Sequence, residues 1–112
     1  MTVHHYKTAG GKRLVLEYIH SLSKKEILDG LSVLQAFEES RLNDINTKTW
    51  RGKIWEAYFY KHNRIFYFTV KGNDIYLLHA CRKQKGKTES FDSDTVVKRA
   101  KELENELSVK LL

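Results

Sequence analysis

The stretch IWEAYFYKHNRIFYFTVKGNDIYLLHACR, Ile54 to Arg82, decides the fold. Three runs, Ile54–Lys61, Arg64–Lys71 and Ile75–Arg82, are dense in aromatic and β-branched residues. His62-Asn63 and Gly72-Asn73-Asp74 separate them with turn formers. Branched and ring-bearing side chains fit a pleated, half-buried surface, so the spacing predicts a three-stranded antiparallel meander. Side chains alternate between the faces of a strand, which sets Trp55, Ala57 and Phe59 on one side and Glu56, Tyr58 and Tyr60 on the other. The same alternation groups His79 with Ile75, Leu77 and Cys81. One face of such a sheet is expected to meet helices and the other to remain for function.

Toward the N-terminus, Thr2 to Lys7 reads as a short edge strand. After Gly10-Gly11 the apolar residues Leu14, Val15, Tyr18, Ile19 and Leu22 recur at helical spacing, which predicts a helix of about three turns. Ser23 followed by Glu26 is a capping box, with Leu22 and Ile27 as its hydrophobic staple, so a second helix begins there. Ile27, Leu28, Leu31, Leu34 and Phe37 continue it until Asn43, Asp44 and Asn46 break the pattern. Helices joined so tightly predict an antiparallel hairpin. Beyond the meander, a loop over Arg82–Phe91 leads to a last helix with Val96, Ala100, Leu103 and Leu107 on one stripe and Asp92, Ser93 or Asp94 as cap. The expected architecture is α+β: an N-terminal strand and helical hairpin packed on a small antiparallel sheet, with a C-terminal helix, in one domain over residues 1–112.

Charge is concentrated in the middle of the chain. Residues 48–87 hold ten Lys or Arg against two acids, Glu56 and Asp74, so the net charges of residues 1–47, 48–87 and 88–112 are 0, +8 and −2. A concentrated positive field attracts phosphates. Trp50, Trp55, Tyr58, Phe59, Tyr60, Phe66, Tyr67, Phe68 and Tyr76 interleave those bases, and phosphate contacts combined with stacking are how single-stranded RNA is held. No apolar run nears the roughly 20 residues a membrane span needs, and the first twenty residues lack a signal peptide's apolar centre. A cytoplasmic protein without a membrane partner is expected. Cys81 is the one cysteine, and within an apolar strand it reads as a small core residue. His4-His5 and His20 have no partners at zinc-ligand spacing, and neither a nucleotide-binding glycine motif nor a serine elbow is present, so no metal and no cofactor is expected.

Trp55-Glu56, then Arg64-Ile65-Phe66-Tyr67, then Leu77-Leu78-His79 and the basic loop Arg82-Lys83-Gln84-Lys85-Gly86-Lys87-Thr88 before an amphipathic helix resemble the RelE/HigB superfamily of toxins, in particular its phage-derived HigB-like branch. The order and spacing of these pieces carry the resemblance over nearly the whole chain. It implies a RelE-like fold and the toxin half of a type II toxin–antitoxin pair: a ribosome-dependent endoribonuclease that cuts translated mRNA without a metal. It further implies as partners the ribosome, mRNA and a cognate antitoxin of helix-turn-helix type, with operator DNA reached only through the antitoxin complex. The alternative is a non-catalytic RNA- or DNA-binding module using the same basic sheet.

Metal-free RNA cleavage must deprotonate a 2′-hydroxyl, stabilise charge on a pentacoordinate phosphorus and protonate the leaving 5′-oxygen. Arg64 offers a planar fork matched to phosphate oxygens. Lys83, Lys85 and Lys87 share one loop, where mutual repulsion lowers an ammonium's pKa or all three neutralise the RNA backbone. Glu56 serves either as general base or as the ion-pair partner that orients Arg64. His79 has the ordinary pKa for acid–base work, or is a satisfied interior imidazole. Catalytic candidates are thus Arg64, Lys83, Glu56 and His79; RNA-binding candidates are Lys53, Tyr58, Tyr60, Arg82, Lys85 and Lys87.

Overall fold

A computed structural model describes residues 1–83 and 90–112. The three aromatic runs form strands that the structure numbers third to fifth: β3 (Ile54–Phe59), β4 (Asn63–Val70) and β5 (Asp74–Arg82), paired antiparallel as a meander. Two further strands flank it. β1 (Thr2–His5) pairs parallel with β5, and β2 (Asn46–Arg51) pairs antiparallel with β3, so the sheet is mixed and ordered β1-β5-β4-β3-β2. β2 has a polar, edge-strand composition, NTKTWR, with no apolar alternation to mark it.

The helices α1 (Leu14–His20), α2 (Lys24–Glu38) and α3 (Ser90–Leu107) complete the element order. α1 has two turns rather than three, because Ser21 already donates to the Glu17 and Tyr18 carbonyls and closes it. α2 starts where the Ser23-to-Glu26 pattern places it, with Ser23 as N-cap in extended conformation. The cap bonds differ from a capping box, however: Ser23 Oγ donates to Glu26 Oε1 (2.9 Å), and neither side chain takes the other's backbone N–H. Glu26 is drawn instead into bonds with the sheet. In α3, Asp92, Ser93 and Asp94 lie inside the first turns rather than capping it.

Both faces of the sheet are covered. α1 and α2 pack Val15, Ile19, Val33, Leu34 and Phe37 on Ala57, Phe59, Ile65, Tyr67, Ile75 and Leu77. On the other face α3 packs Val96 and Ala100 on Ile54, Phe66, Phe68, Leu78 and Cys81. Four of the nine aromatic residues in the basic segment are therefore core: Phe59, Phe66, Tyr67 and Phe68 are buried, and burying an aromatic side chain stabilises the fold by roughly 1.5–3 kcal/mol. The face expected to remain open is open only beyond the reach of α3. This is the α+β, RelE-like arrangement, and no described helix is long and apolar enough to cross a membrane.

Two irregularities decide where site residues point. The β4–β5 register shifts between Phe66 and Tyr67, which pair with His79 and Leu77 and leave Leu78 as an extra residue. Such a β-bulge interrupts alternation. His79 therefore lies opposite Phe66 on the α3 face while Leu77 stays in the α1–α2 core, and the expected grouping of His79 with Ile75 and Leu77 is corrected. The β3–β4 turn also comes early. Phe59 pairs with Asn63, so Tyr60, Lys61 and His62 form the turn, and Asn63 opens β4. Tyr60 (φ +34°) and Lys61 (φ +66°) occupy left-handed backbone, and Tyr60 does not share a strand face with Glu56 and Tyr58.

Candidate functional site: a cationic cleft over Glu56, Arg64 and Lys83

Tyr58 of β3 lies directly opposite Arg64 of β4, and Lys48 of β2 opposite Glu56 of β3, so all four side chains start from the α3 face of the sheet. Arg64 is held on several sides. Its Nη1 donates to the carbonyls of Lys61 (3.0 Å) and Asn63 (2.9 Å), its guanidinium carbon lies 3.8 Å from the centre of the Tyr58 ring, and its Nε is 3.5 Å from Glu56 Oε1. A guanidinium over an aromatic face gains cation–π attraction that strengthens with desolvation. Lys83 follows β5, its N–H donating to the His62 carbonyl (2.8 Å), and its Nζ reaches the same Glu56 oxygen at 2.7 Å.

The electrostatic consequence follows from burial. The side chains of Glu56, Lys83 and Arg64 are 1%, 4% and 10% exposed, so two buried cations share one oxygen of a single carboxylate. Arg64 Nε is buried and makes no hydrogen bond among the described residues. Uncompensated buried charge is costly, and an incoming anion would offset it. The anion has a way in: a cleft of about 430 Å³ opens over Glu56 and Lys83, walled by Lys48, Thr49, Trp50 and Arg51 of β2 and by Ser93 of α3. Arg51 donates to Ser93 Oγ (3.2 Å) and lies 4.6 Å from the Trp50 ring centre, so it ties β2 to α3 at one end of the cleft. Lys48 stands at the other end, 5.6 Å from the Tyr58 ring centre. The Tyr58 hydroxyl, and then the Glu56 charge, hold its ammonium above the ordinary lysine pKa.

Glu56, Arg64, Lys83 and Tyr58 are thus brought together. The remaining candidates are not. Tyr60 lines a second cleft with Asp29, Asp44 and Asn46, which Tyr58 also borders, and Lys53 sits in the β2–β3 turn at the far end of β3 from Tyr58. Arg82 turns away to Glu26 Oε2 (2.7 Å). Lys85 and Lys87 lie outside the described residues. Sequence reading missed Lys48, Trp50 and Arg51 as site residues; the β-branched Thr47 and Thr49 before the Arg51-Gly52 turn are the signal that would have found their strand.

His79 is engaged elsewhere. Arg99 Nη1 lies 3.3 Å from its Nδ1, and a guanidinium only donates, so Nδ1 accepts and the ring proton sits on Nε2, which donates to Asp92 Oδ1 at 2.7 Å. Burial depresses its pKa. His79, Cys81 and Asp92 form a group of three potential metal ligands within 4.8 Å among the described residues. Its chemistry suits a clip between sheet and helix better than a cation: Nε2 carries a proton, burial pushes the Cys81 thiol up to about 12, and the Arg99 charge adjoins the ring.

A small α+β protein whose mixed sheet presents a cationic cleft between an edge strand and a C-terminal helix is the class that fold and site define. Within it, residues 17–101 match the family described as phage derived protein Gp49-like (DUF891), and the chain belongs to that family. The family is a phage-derived, RelE/HigB-like toxin family, associated with toxin-like endoribonucleases and antitoxin partners. No curated protein matches the chain.

Proposed function

We propose that this protein is a ribosome-dependent, metal-independent endoribonuclease that cuts translated mRNA, and that it is silenced by a cognate antitoxin. One observation carries the reading: two buried cations share one carboxylate beneath an open cationic cleft, which leaves a site short of an anion. An RNA phosphate supplies it. The Arg64 fork binds the phosphate and stabilises the charge that develops when the neighbouring 2′-oxygen attacks phosphorus. That attack forms the 2′,3′-cyclic bond and expels the 5′-oxygen. Lys48 adds charge at the cleft mouth, and Tyr58 keeps the guanidinium flat.

Of the two roles open to Glu56, the geometry favours that of orienter. Glu56 Oε1 is already taken by the Lys83 ammonium and approached by Arg64 Nε, so it is turned toward the two cations rather than toward a substrate hydroxyl. His79 belongs to the α3 clip. The burial of Phe59, Phe66, Tyr67 and Phe68 takes four of the segment's nine aromatic rings out of reach of a stacked base, which weighs against the non-catalytic alternative.

The test is a purified translation system given one message in translated and untranslated form. Cleavage of the translated copy alone, persisting with a chelator that spares ribosomal magnesium, is expected. Expression of the chain should arrest growth, and co-expression of an adjacent helix-turn-helix gene should relieve it. Binding to both RNAs without cleavage of either would replace the enzyme reading with the binding module.

A further inference from the structure

A second polar cluster lies on the opposite side of the sheet from the cleft, and no step of the proposed cleavage uses it. Asn63 is fully buried at the start of β4. Its Nδ2 donates to Glu26 Oε2 (2.8 Å) and to the Tyr60 carbonyl (3.1 Å), and its Oδ1 accepts from the Tyr18 hydroxyl (2.6 Å). Glu26 also accepts from Ser23 (2.9 Å) and Arg82 (2.7 Å), and its bonds to Asn63 and Ser23 hold its pKa below the carboxylate range. These groups join α1, α2, β4 and β5.

The cluster acts on the β3–β4 turn. Tyr60 and Lys61 hold left-handed backbone, which crowds the Cβ of a non-glycine residue against its own carbonyl, so something must keep them there. Asp29 Oδ2 accepts the Tyr60 N–H at 2.6 Å, Asn63 binds the Tyr60 carbonyl, and the Lys83 N–H binds the His62 carbonyl. The pinned turn and the start of β4 present two carbonyls, of Lys61 and Asn63, to Arg64, and both accept from its Nη1.

We infer that Asn63 and Glu26 are positioning residues for Arg64: through the strained turn they fix the two carbonyls that hold the guanidinium beside Glu56 and the Tyr58 ring. The inference rests on the proposed cleavage reaction and deepens it. The chain of contact is short: Glu26 to Asn63, Asn63 to Tyr60, and the turn to Arg64. The carboxylate is set where the ordinary capping role of a glutamate three residues after Ser23 has been given up for it.

The experiment compares Asn63→Asp, which sets a second carboxylate against Glu26 and removes the donor to the Tyr60 carbonyl, with the exchange Glu26→Gln plus Asn63→Asp, which restores one donor and one acceptor across the Glu26 contact but leaves the Tyr60 carbonyl without its donor. Single-turnover cleavage on translating ribosomes is measured per folded molecule, beside Arg64→Ala. Asn63→Asp should slow cleavage tenfold or more with ribosome affinity changed less than twofold, and the exchange should regain thermal stability while its rate stays at least tenfold below the parent. The Arg64 Nε–H resonance, read by NMR without any RNA, should shift and broaden in Asn63→Asp and stay shifted in the exchange; full recovery of rate and resonance in the exchange overturns the route through the Tyr60 carbonyl. If Arg64→Ala is inactive while Asn63→Asp cuts like the parent, positioning is overturned and the phosphate site stands. If Arg64→Ala cuts like the parent, the phosphate site itself falls. An Arg64 resonance unchanged by Asn63→Asp overturns the inference whether or not the parent cuts.

Discussion

Arg64 sits at the crossing of two demands, since its guanidinium is nearly buried yet shares the Glu56 carboxylate with Lys83, and it is Glu56 and Lys83 that line the cleft. Arg64→Lys keeps the charge but loses the fork, the Tyr58 stack and both carbonyl bonds. It should cost about 1.5–3 kcal/mol of stability, in the range of charge-assisted hydrogen bonds, and at least about 100-fold in cleavage rate, in the range of one oxyanion donor. Urea unfolding and single-turnover rates separate the two losses. Glu56→Gln leaves both cations without their carboxylate, and removing one partner of a buried pair typically costs about 3–5 kcal/mol, again read by urea unfolding. His79 gives a pH signature. Burial lowers its folded pKa, so below its ordinary value near 6.5 the unfolded chain binds more protons than the folded one, and stability must fall as pH falls. The contribution is complete above about pH 6.5 and is lost below it; His5 shifts the same way. The melting temperature should drop between pH 7.5 and 5, and His79→Gln should flatten that drop; an unchanged profile would contradict the clip.

At the scale of elements, what could be read from the chain was what repeats. Three strands announced themselves by aromatic and β-branched runs, and α2 by Ser23 and Glu26, because period and punctuation are local properties. β2 could not be read that way, since an edge strand covered on little of its length needs no apolar alternation. The gathering of Glu56, Arg64 and Lys83 was legible because neighbouring strands of a meander fix which residues meet. The faces of His79 and Tyr60 were not, because one extra residue at Leu78 and one residue of turn placement are set by packing rather than by composition. The β2–β3 turn carries its own test. Gly52 has φ +51°, and a Cβ there would come within 2.0 Å of the Leu111 carbonyl oxygen, which accepts the Lys53 N–H at 2.7 Å. Gly52→Ala should therefore destabilise by about 2 kcal/mol or more and loosen the end of the cleft that β2 walls. Thermal unfolding measures it.

The molecule as a whole is a sheet clad on both faces, with Lys48, Arg51 and Lys83 lining one cleft and Arg64 beside it. Binding to ribosomes should therefore weaken steeply with salt, with a log–log slope growing by about 0.7 for each single-strand phosphate neutralised, and Lys48→Ala should lower that slope by roughly that amount. A slope near zero would remove nucleic acid as the partner. The central claim is that the Arg64 cleft completes itself with an RNA phosphate and breaks the chain there. The most direct measurement is the chemistry of the ends left on a translated message by parent and Arg64→Lys proteins in equal folded amounts. The account predicts 2′,3′-cyclic phosphate and 5′-hydroxyl ends from the parent, and the same ends at least about 100-fold more slowly from Arg64→Lys. Equal rates from both, or 3′-hydroxyl ends from the parent, would contradict it.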